Sequence, residues 1–287
     1  MLRAELFPRR ASLCALLASL LLSACGSAPK VAEPLLRKQA QEAETDGARR
    51  YARGDYAGAV RSFGAAGQLQ QSVDDPAAAA RSQLNQARAE LALGHAEAAL
   101  TRALRINHPD LALDALLLQA QANLALGQLP AAQTNLAAAA SACTESCSQR
   151  ASLHLLQARA ALADKRAPDA LAHADAALKL LQDKDEANET GNAWRLIAAA
   201  RLAGSDAAGA LPAARSALEI DRKLALPEKI ARDWLLIGDI QKKAGTSEAV
   251  SAYQRARDVA TAAGLADIVR IASQAIADLN ITKGTSR

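Results

Sequence analysis

The sequence predicts an all-α protein built from repeated pairs of helices. Hydrophobic residues make up 51% of the 287-residue chain and aromatic residues only 2%, and alanine supplies much of the apolar content. Alanine has the highest intrinsic helix propensity, and the alternating β-branched or aromatic residues typical of strands are missing. Apolar residues instead recur at helical spacing, and turn residues interrupt them at regular intervals.

The clearest helix pair is encoded by residues 231–259. Its first half places large residues on one helical face, Gly245 breaks the helix, and Thr246 or Ser247 can cap the next one. The positions that define the pattern are Trp234, Ile237, Gly238, Gly245, Ala249, Tyr253 and Ala256. This stretch resembles a tetratricopeptide (TPR) repeat. The resemblance implies a TPR-like α-solenoid, in which antiparallel helix pairs stack into a right-handed superhelix.

Five earlier units can be aligned on this one by the small residue that opens the second helix. These residues recur every 33 to 40 positions, in the range of helical solenoid repeats: Ala59, Ala99, Ala132, Ala170, Ala210 and Ala249. Pro212 lies deep in the second helix of the fifth unit and predicts a kink there. We therefore expect a solenoid of five to six repeats at residues 35–262.

The end of the chain predicts one more helix. Between Leu265 and Leu279 the apolar residues form one stripe, and polar residues face away from it. This is the pattern of a terminal helix that closes the exposed end of a solenoid. The predicted capping helix covers residues 263–282, and residues 283–287 are expected to fray.

The N-terminus has the organisation of a secretion signal. A positive leader with Arg3, Arg9 and Arg10 precedes an apolar core at residues 11–22, which is too short to span a bilayer and suits a signal peptide. The following Leu22-Ser23-Ala24-Cys25 resembles the lipobox of Gram-negative bacterial lipoproteins. That resemblance implies a signal peptide at residues 1–24 and acylation of Cys25.

A lipidated N-terminus also predicts the location of the chain. Residues 25–34 are predicted to form an acylated flexible tether. Gly26, where an Asp would retain a lipoprotein in the inner membrane, implies outer-membrane localisation with the body facing the periplasm. A simple cleaved signal peptide with a chance cysteine is the alternative.

Cys143 and Cys147 are the cysteines that remain once Cys14 is removed with the signal and Cys25 is acylated. An oxidising periplasm favours a disulfide between them. Their spacing suits a disulfide poorly within a continuous helix, so we expect a loop or frayed turn. A metal site would need more ligands than His154 can add, and the C-x-x-C spacing of redox motifs is not met.

The sequence gives little support for catalysis or cofactor binding. His95, His108, His154 and His173 are not within metal-ligand spacing of one another, and no nucleophile elbow, zinc-protease motif or phosphate loop is present. We therefore predict no enzyme activity, metal or cofactor. Two carboxylates that hydrolyse a sugar need only be close in space, so a peptidoglycan-acting helical enzyme remains the least favoured alternative.

The remaining candidate surface is the concave face, which in TPR proteins is lined by the first helix of each pair. Counting from the signature positions gives the candidate groove residues Arg81, Asn85, Arg88, Gln121, Arg159, Asn192, Arg195, Arg232, Asp239 and Lys242. Arginine recurs among them, and its guanidinium favours carboxylates. We therefore expect a groove for an acidic segment or a chain terminus. The alternative is that these are ordinary solvated helix residues.

Taken together, these features predict a membrane-anchored periplasmic scaffold that binds partner proteins while a cell-envelope complex is assembled or regulated. A periplasmic sensor of a peptide or small ligand is the main alternative. Nucleic acid is not an expected partner, because the net charge is only +4, no basic run occurs and aromatic residues are scarce.

Overall fold

The computed structural model describes residues 34–144 and 147–284, with side chains up to Asn280. Within these ranges the chain forms thirteen α-helices and no strand, which confirms the all-α prediction. The helices are α1 (Leu35–Ala52), α2 (Tyr56–Ser72), α3 (Pro76–Ala92), α4 (Ala96–Ala103), α5 (Ala112–Ala125), α6 (Leu129–Ala142), α7 (Arg150–Ala163), α8 (Ala167–Leu181), α9 (Ala187–Ala203), α10 (Ala207–Lys223), α11 (Pro227–Lys243), α12 (Ala249–Ala262) and α13 (Ala266–Gly284).

Each helix packs against the next, so that α1 to α12 form six consecutive pairs. We call the first helix of each pair (α1, α3, α5, α7, α9, α11) the A helix and the second (α2, α4, α6, α8, α10, α12) the B helix. A short 3-10 turn at Pro109–Leu111 precedes α5 and follows the clipped helix α4. The arrangement is a TPR-like helical solenoid, as the sequence predicted.

Small residues bring the two helices of a pair close together. A Cβ atom on Gly238 of α11 would lie 2.5 Å from Cε1 of Tyr253 on α12, and one on Gly47 of α1 would lie 2.7 Å from the ring of Phe63 on α2. Both rings are almost fully buried. The six aligned alanines are also buried, with exposed fractions of 0 to 2%. In the first and sixth pairs a large side chain of the B helix therefore packs into a gap on the A helix.

The turn between the A and B helices needs one residue with positive φ. Glycine occupies this position in the first, second, third and sixth pairs. Lys165, with φ of 58°, and Ser205, with φ of 65°, occupy it in the fourth and fifth pairs. Only glycine adopts this conformation at no steric cost. These two turns are therefore locally strained.

One local prediction differs from the structure. Helix α12 begins at Ala249, and no side chain caps it. The expected cap by Thr246 or Ser247 is wrong, because the helix begins too late for either residue; the Thr246 hydroxyl donates instead to the carbonyl of Gln241, at 3.4 Å. Pro212 lies inside helix α10, which runs from Ala207 to Lys223, and the kink expected there stays a prediction.

Helix α13 packs against α12 at the end of the row. Ile268 of α13 shares a buried cluster with Ala231 of α11 and Ala260 of α12. No helix among the described residues is long and apolar enough to cross a membrane. The predicted signal peptide at residues 1–24, the lipobox with Cys25 and all but the last residue of the tether at 25–34 lie outside the described residues.

Candidate functional site

The A helices of all six pairs line one concave cavity of 490 Å³, which we call the central cavity. Side chains from α1, α3, α5, α7, α9 and α11 contribute to its wall, together with Gln149 just before α7. The lining residues are Tyr51, Arg88, Leu91, Ala92, Asp114, Leu117, Leu118, Gln121, Gln149, Ser152, Leu155, Leu156, Arg159, Asn188, Glu189, Asn192 and Lys229. A volume of this size is typical of ligand sites.

Side chains of the first helix pair and of the last two pairs line the same cavity. Tyr51 of α1 lines the cavity together with Glu189 of α9. Burial raises the pKa of Tyr51, and the nearby carboxylate of Glu189 raises it further. Burial also raises the pKa of Tyr56, with the carboxylate of Glu228 on α11 adding to the shift. The rings of Tyr51 and Tyr56 meet edge to face, with centroids 5.3 Å apart.

One cation of the central cavity is neutralised within the protein. Arg88 of α3 donates to the carboxylate of Asp114 on α5, with an Nη2–Oδ1 distance of 2.5 Å. The second oxygen of Asp114 accepts a hydrogen bond from Gln149, at 3.0 Å. Arg88 and Asp114 therefore form an ion pair that links the second and third helix pairs.

Two further cations of the cavity have no carboxylate partner. Arg159 of α7 is half-buried and has no hydrogen bond or ion pair within the described residues, and burial lowers its pKa. Lys229 of α11 donates to amide oxygens, with its Nζ 2.6 Å from Asn188 Oδ1 and 2.8 Å from Asn192 Oδ1. Burial lowers the pKa of Lys229 as well, and the charge of Arg195 contributes. The positive charges of Arg159 and Lys229 in the cavity therefore form no ion pair with the described residues.

The structure brings four of the ten candidate groove residues to the central cavity: Arg88, Gln121, Arg159 and Asn192. Two others, Arg81 and Asn85, line a separate hollow of 400 Å³ beside α1. In that hollow the amide of Asn85 donates to Glu44, at 2.7 Å. The second helix pair thus divides its candidates between two concavities.

The other four candidates do not line the central cavity. Arg195 donates from Nε to Asp233 at 2.6 Å and from Nη2 to Asp221, and both carboxyl groups are fully buried. Arg232 pairs with Glu228 on the surface of its own helix, at 2.9 Å. The carboxylate of Asp239 accepts a hydrogen bond from Tyr253 within the sixth pair, at 2.6 Å. Lys242 is exposed on α11.

Sequence reasoning missed several residues of the cavity. Lys229 and Asn188 lie in the first turn of their A helices, ahead of the signature positions from which the groove was counted. Tyr51 lies near the end of α1, on a pair from which no groove residue was predicted. A search for polar residues in the first turns of the A helices would have found the first two.

The structure also brings together two histidines that the sequence separates by 19 positions. His154 of α7 and His173 of α8 have their Nδ1 atoms 3.3 Å apart. Burial lowers the pKa of both imidazoles. Neutral rings allow one Nδ1–H to donate to the other Nδ1. Among the described residues no third metal-ligating side chain joins them in a group.

Cys143 and Cys147 form a disulfide between the third and fourth helix pairs, with Cα atoms 5.2 Å apart. The bond lies outside regular helix, because α6 ends at Ala142 and α7 begins at Arg150. It joins the two ends of the connection that leads from α6 into the A helix bearing Arg159.

Comparison with known proteins supports the fold. No protein-family model matches the sequence, and no curated protein matches it. Among solved structures, a Rap protein complexed with Competence and Sporulation Factor is similar with a TM-score of 0.68 and 15% identity, over 86% of this chain and 73% of that one. The apo form of RapI gives a TM-score of 0.58 and 15% identity, over 86% and 72%.

Aspartyl phosphate phosphatase F from Bacillus subtilis is similar with a TM-score of 0.52 and 12% identity, over 89% of this chain and 86% of that one. Identities this low establish the fold alone. The fold of this chain is that of the TPR-like helical solenoids.

Proposed function

We propose that this protein is a membrane-anchored periplasmic adaptor that binds partner proteins while a cell-envelope complex is assembled or regulated. The observation that carries the proposal is the central cavity, to which every A helix contributes. Its wall combines leucine side chains with polar groups such as Gln121, a composition suited to an extended polypeptide segment. The similar Rap protein was solved in complex with Competence and Sporulation Factor.

Capture of partners from the envelope tests this role. Gln121 of α5 is exposed within the cavity, and Ala138 of α6 is exposed on the B helix of the same pair. We expect Gln121→Trp to fill the cavity and deplete the partners captured from detergent-solubilised envelopes. Ala138→Trp places the same side chain outside the cavity and should leave the captured set unchanged. Equal partner sets for the two variants would remove the cavity from the proposed function.

The anchor rests on the sequence around Cys25. An apolar segment followed by Leu22-Ser23-Ala24-Cys25 supports acylation of the cysteine, and Gly26 supports the outer membrane. Several acyl chains on one residue hold a protein durably, at about 0.8 kcal/mol per buried CH₂. Labelled palmitate should enter the wild-type protein and not Cys25→Ala, and the protein should fractionate with outer membranes. Labelling that survives the substitution would contradict the assignment.

A periplasmic sensor of a peptide or small ligand is the second candidate function. The observation that favours it is that Tyr51 of the first pair and Lys229 of the last line the same space. A cavity of 490 Å³ suits a short ligand better than a folded partner. A sensor predicts a thermal shift with envelope peptide extracts in the absence of any stable protein partner. An adaptor predicts a stable complex.

We propose that the role is non-catalytic. The carboxylate of Asp114 is engaged by Arg88 and Gln149, and that of Glu189 accepts hydrogen bonds from Asn188 and Asn192. These contacts suit structural carboxylates. A zymogram on cell-wall material tests the enzyme alternative: the proposal predicts no clearing, and clearing by the purified protein would contradict it.

A further inference from the structure

The histidine pair of the fourth helix pair lies apart from the central cavity and has no part in the proposed function. His154 of α7 and His173 of α8 are both half-buried, and neither lines the cavity. Their Nδ1 atoms are 3.3 Å apart, whereas their ring centroids are 5.5 Å apart. The two rings therefore meet through their nitrogen-bearing edges, and each turns its Nδ1 atom toward the other.

This separation suits two ligands of one metal ion. Zn–N bonds are about 2.0–2.1 Å long, so two nitrogen ligands at a tetrahedral angle on one Zn²⁺ are about 3.3–3.4 Å apart. Hydrogen bonds from N–H donors are shorter, at about 2.9–3.0 Å. The observed 3.3 Å equals the spacing of a zinc site with two imidazole ligands and is long for a hydrogen bond between the rings. Rotation about χ2, which is soft in histidine, points both lone pairs at an ion beside the line that joins the nitrogens.

The surroundings keep both imidazoles available as ligands, because histidine binds a metal through its neutral ring. Burial lowers the pKa of His154, and the neighbouring His173 lowers it further. Burial also lowers the pKa of His173. The charges near His173 oppose each other, since Asp169 acts to raise this pKa and Arg166 acts to lower it. At neutral pH each ring therefore has a nitrogen lone pair to donate.

A third side chain, Gln157, is placed to orient His154. It lies one turn after His154 on α7. Burial dominates the pKa of His154, but the amide of Gln157 acts in the opposite direction as a hydrogen-bond acceptor. That contact falls short of normal hydrogen-bond geometry, so Oε1 of Gln157 is buried without a full partner among the described residues. A neutral imidazole that binds metal through Nδ1 carries its proton on Nε2, and this N–H needs an acceptor.

We propose that His154 and His173 bind one Zn²⁺ through their Nδ1 atoms and that Gln157 accepts the Nε2 proton of His154. Water occupies the other coordination positions, because no further histidine, cysteine, aspartate or glutamate in the part of the chain that the structure describes joins the pair. Nitrogen ligands favour zinc over Mg²⁺ and Ca²⁺, which prefer oxygen. The ion links α7 to α8 within one helix pair, and the inference does not depend on partner binding in the cavity.

Zinc titration of the purified full-length protein, stripped of metal with EDTA, tests the site. Isothermal titration calorimetry at pH 7.5 should show one Zn²⁺ bound per chain and no binding of Mg²⁺. His154→Ala and His173→Ala should each weaken zinc binding by more than about tenfold. Gln157→Leu should weaken it by about tenfold, because an outer partner of a metal-ligating histidine contributes about 10- to 100-fold to metal affinity.

His95→Ala is the matched control, because it removes an exposed histidine at the start of α4. Its zinc affinity should equal that of the wild type. Equal zinc affinity in the wild type and in both variants of the pair would overturn the proposal, and so would an equal loss in all three histidine variants. Circular dichroism of each variant distinguishes lost binding from lost fold.

Nitrogen NMR of the histidine side chains identifies the coordinating atoms in the unmodified protein. Zn²⁺ should shift the Nδ1 resonances of His154 and His173 and leave those of His95 unchanged. Shifts confined to Nε2, or spread equally over all the histidines, would overturn the proposed coordination. The adaptor role is tested separately by Gln121→Trp, so failure of the zinc site leaves that role intact.

Discussion

Arg195 Nε donates to Asp233 Oδ1 over 2.6 Å and thereby joins the fifth and sixth helix pairs at a fully buried position. The same guanidinium also contacts the buried carboxyl group of Asp221 on α10. One cation is shared by two acids, and Asp221 Oδ1 and Asp233 Oδ2 have no other partner among the described side chains. Protonation of one of the two carboxyl groups makes this cluster neutral.

This arrangement predicts a pH dependence of stability. Burial raises the pKa of Asp233 to about 7; it outweighs the opposing effect of Arg195, and Asp221 adds a smaller contribution in the same direction as burial. An unfolded Asp titrates near a pKa of about 3.9. Between these values the folded state binds more protons than the unfolded state, so the stability contributed by Asp233 falls as the pH rises from about 4 to about 7.

Asp233→Asn should remove this dependence, because the amide stays neutral and can still donate to Asp221. Urea unfolding at pH 5 and at pH 7.5 measures the effect: the wild type should lose stability relative to the variant at the higher pH. Asp258→Asn changes an acid with a 70% exposed side chain and serves as the control. A difference in stability between wild type and Asp233→Asn that is the same at both pH values would contradict the raised pKa of Asp233.

Replacing Arg195 should destabilise the fold more than replacing an exposed arginine. Arg195→Met leaves two buried carboxyl groups without their cation, which costs about 3–5 kcal/mol. Arg232→Met breaks only a surface pair, in which the side chains are about half exposed, and should cost less than about 1 kcal/mol. Chemical denaturation measures both, and similar costs for the two variants would show that Arg195 has no structural role.

Close packing of the sixth pair predicts the effect of one added methyl group. Gly238→Ala places a Cβ atom 2.5 Å from the buried ring of Tyr253. Overpacking of about 1–3 kcal/mol should exceed the gain of about 1 kcal/mol in helix propensity. Gly67→Ala is the matched control, since its nearest new contact is an ordinary 3.6 Å. Thermal unfolding should show a lower Tm for the first variant and an unchanged or higher Tm for the second.

The strained turn of the fourth pair predicts a stabilising substitution. Lys165 has φ of 58°, and a non-glycine residue in this region costs about 1–2 kcal/mol. Glycine removes that strain, but it also loses more conformational entropy on folding than lysine does, which offsets part of the gain. Lys165→Gly should therefore stabilise the protein by about 0.5–1 kcal/mol. Gly127→Ala makes the opposite change at the equivalent turn, where φ is 71°, and should destabilise. A destabilised Lys165→Gly would contradict the assigned strain.

The fold could be predicted from the sequence because its determinants are local. The gap at Gly238 and the ring of Tyr253 are 15 positions apart, and buried alanines that open the B helices recur at regular spacing along the chain. The turns were predicted less well where glycine is replaced, since nothing in the sequence marks Lys165 or Ser205 as residues of positive φ.

The site could be predicted only in part because it depends on how the pairs rotate relative to one another. Position on an A helix was enough to find Arg159, but it could not show that the cation lacks a partner. Arg195 occupies a similar position on its own A helix, but it is paired with the carboxyl groups of Asp221 and Asp233, which lie 26 and 38 residues away in the sequence. The position of Tyr51 on the same cavity as Lys229 depends on rotation accumulated over the helix pairs between them, which no local pattern encodes.

The most direct test of the central claim is photocrosslinking in living cells, with a photoreactive phenylalanine analogue at Gln121 inside the cavity or at Ala138 on the B helix of the same pair. The account predicts a discrete crosslinked partner or peptide from Gln121 and none from Ala138. The same adducts from both positions, or adducts from Ala138 alone, would contradict binding through the concave face.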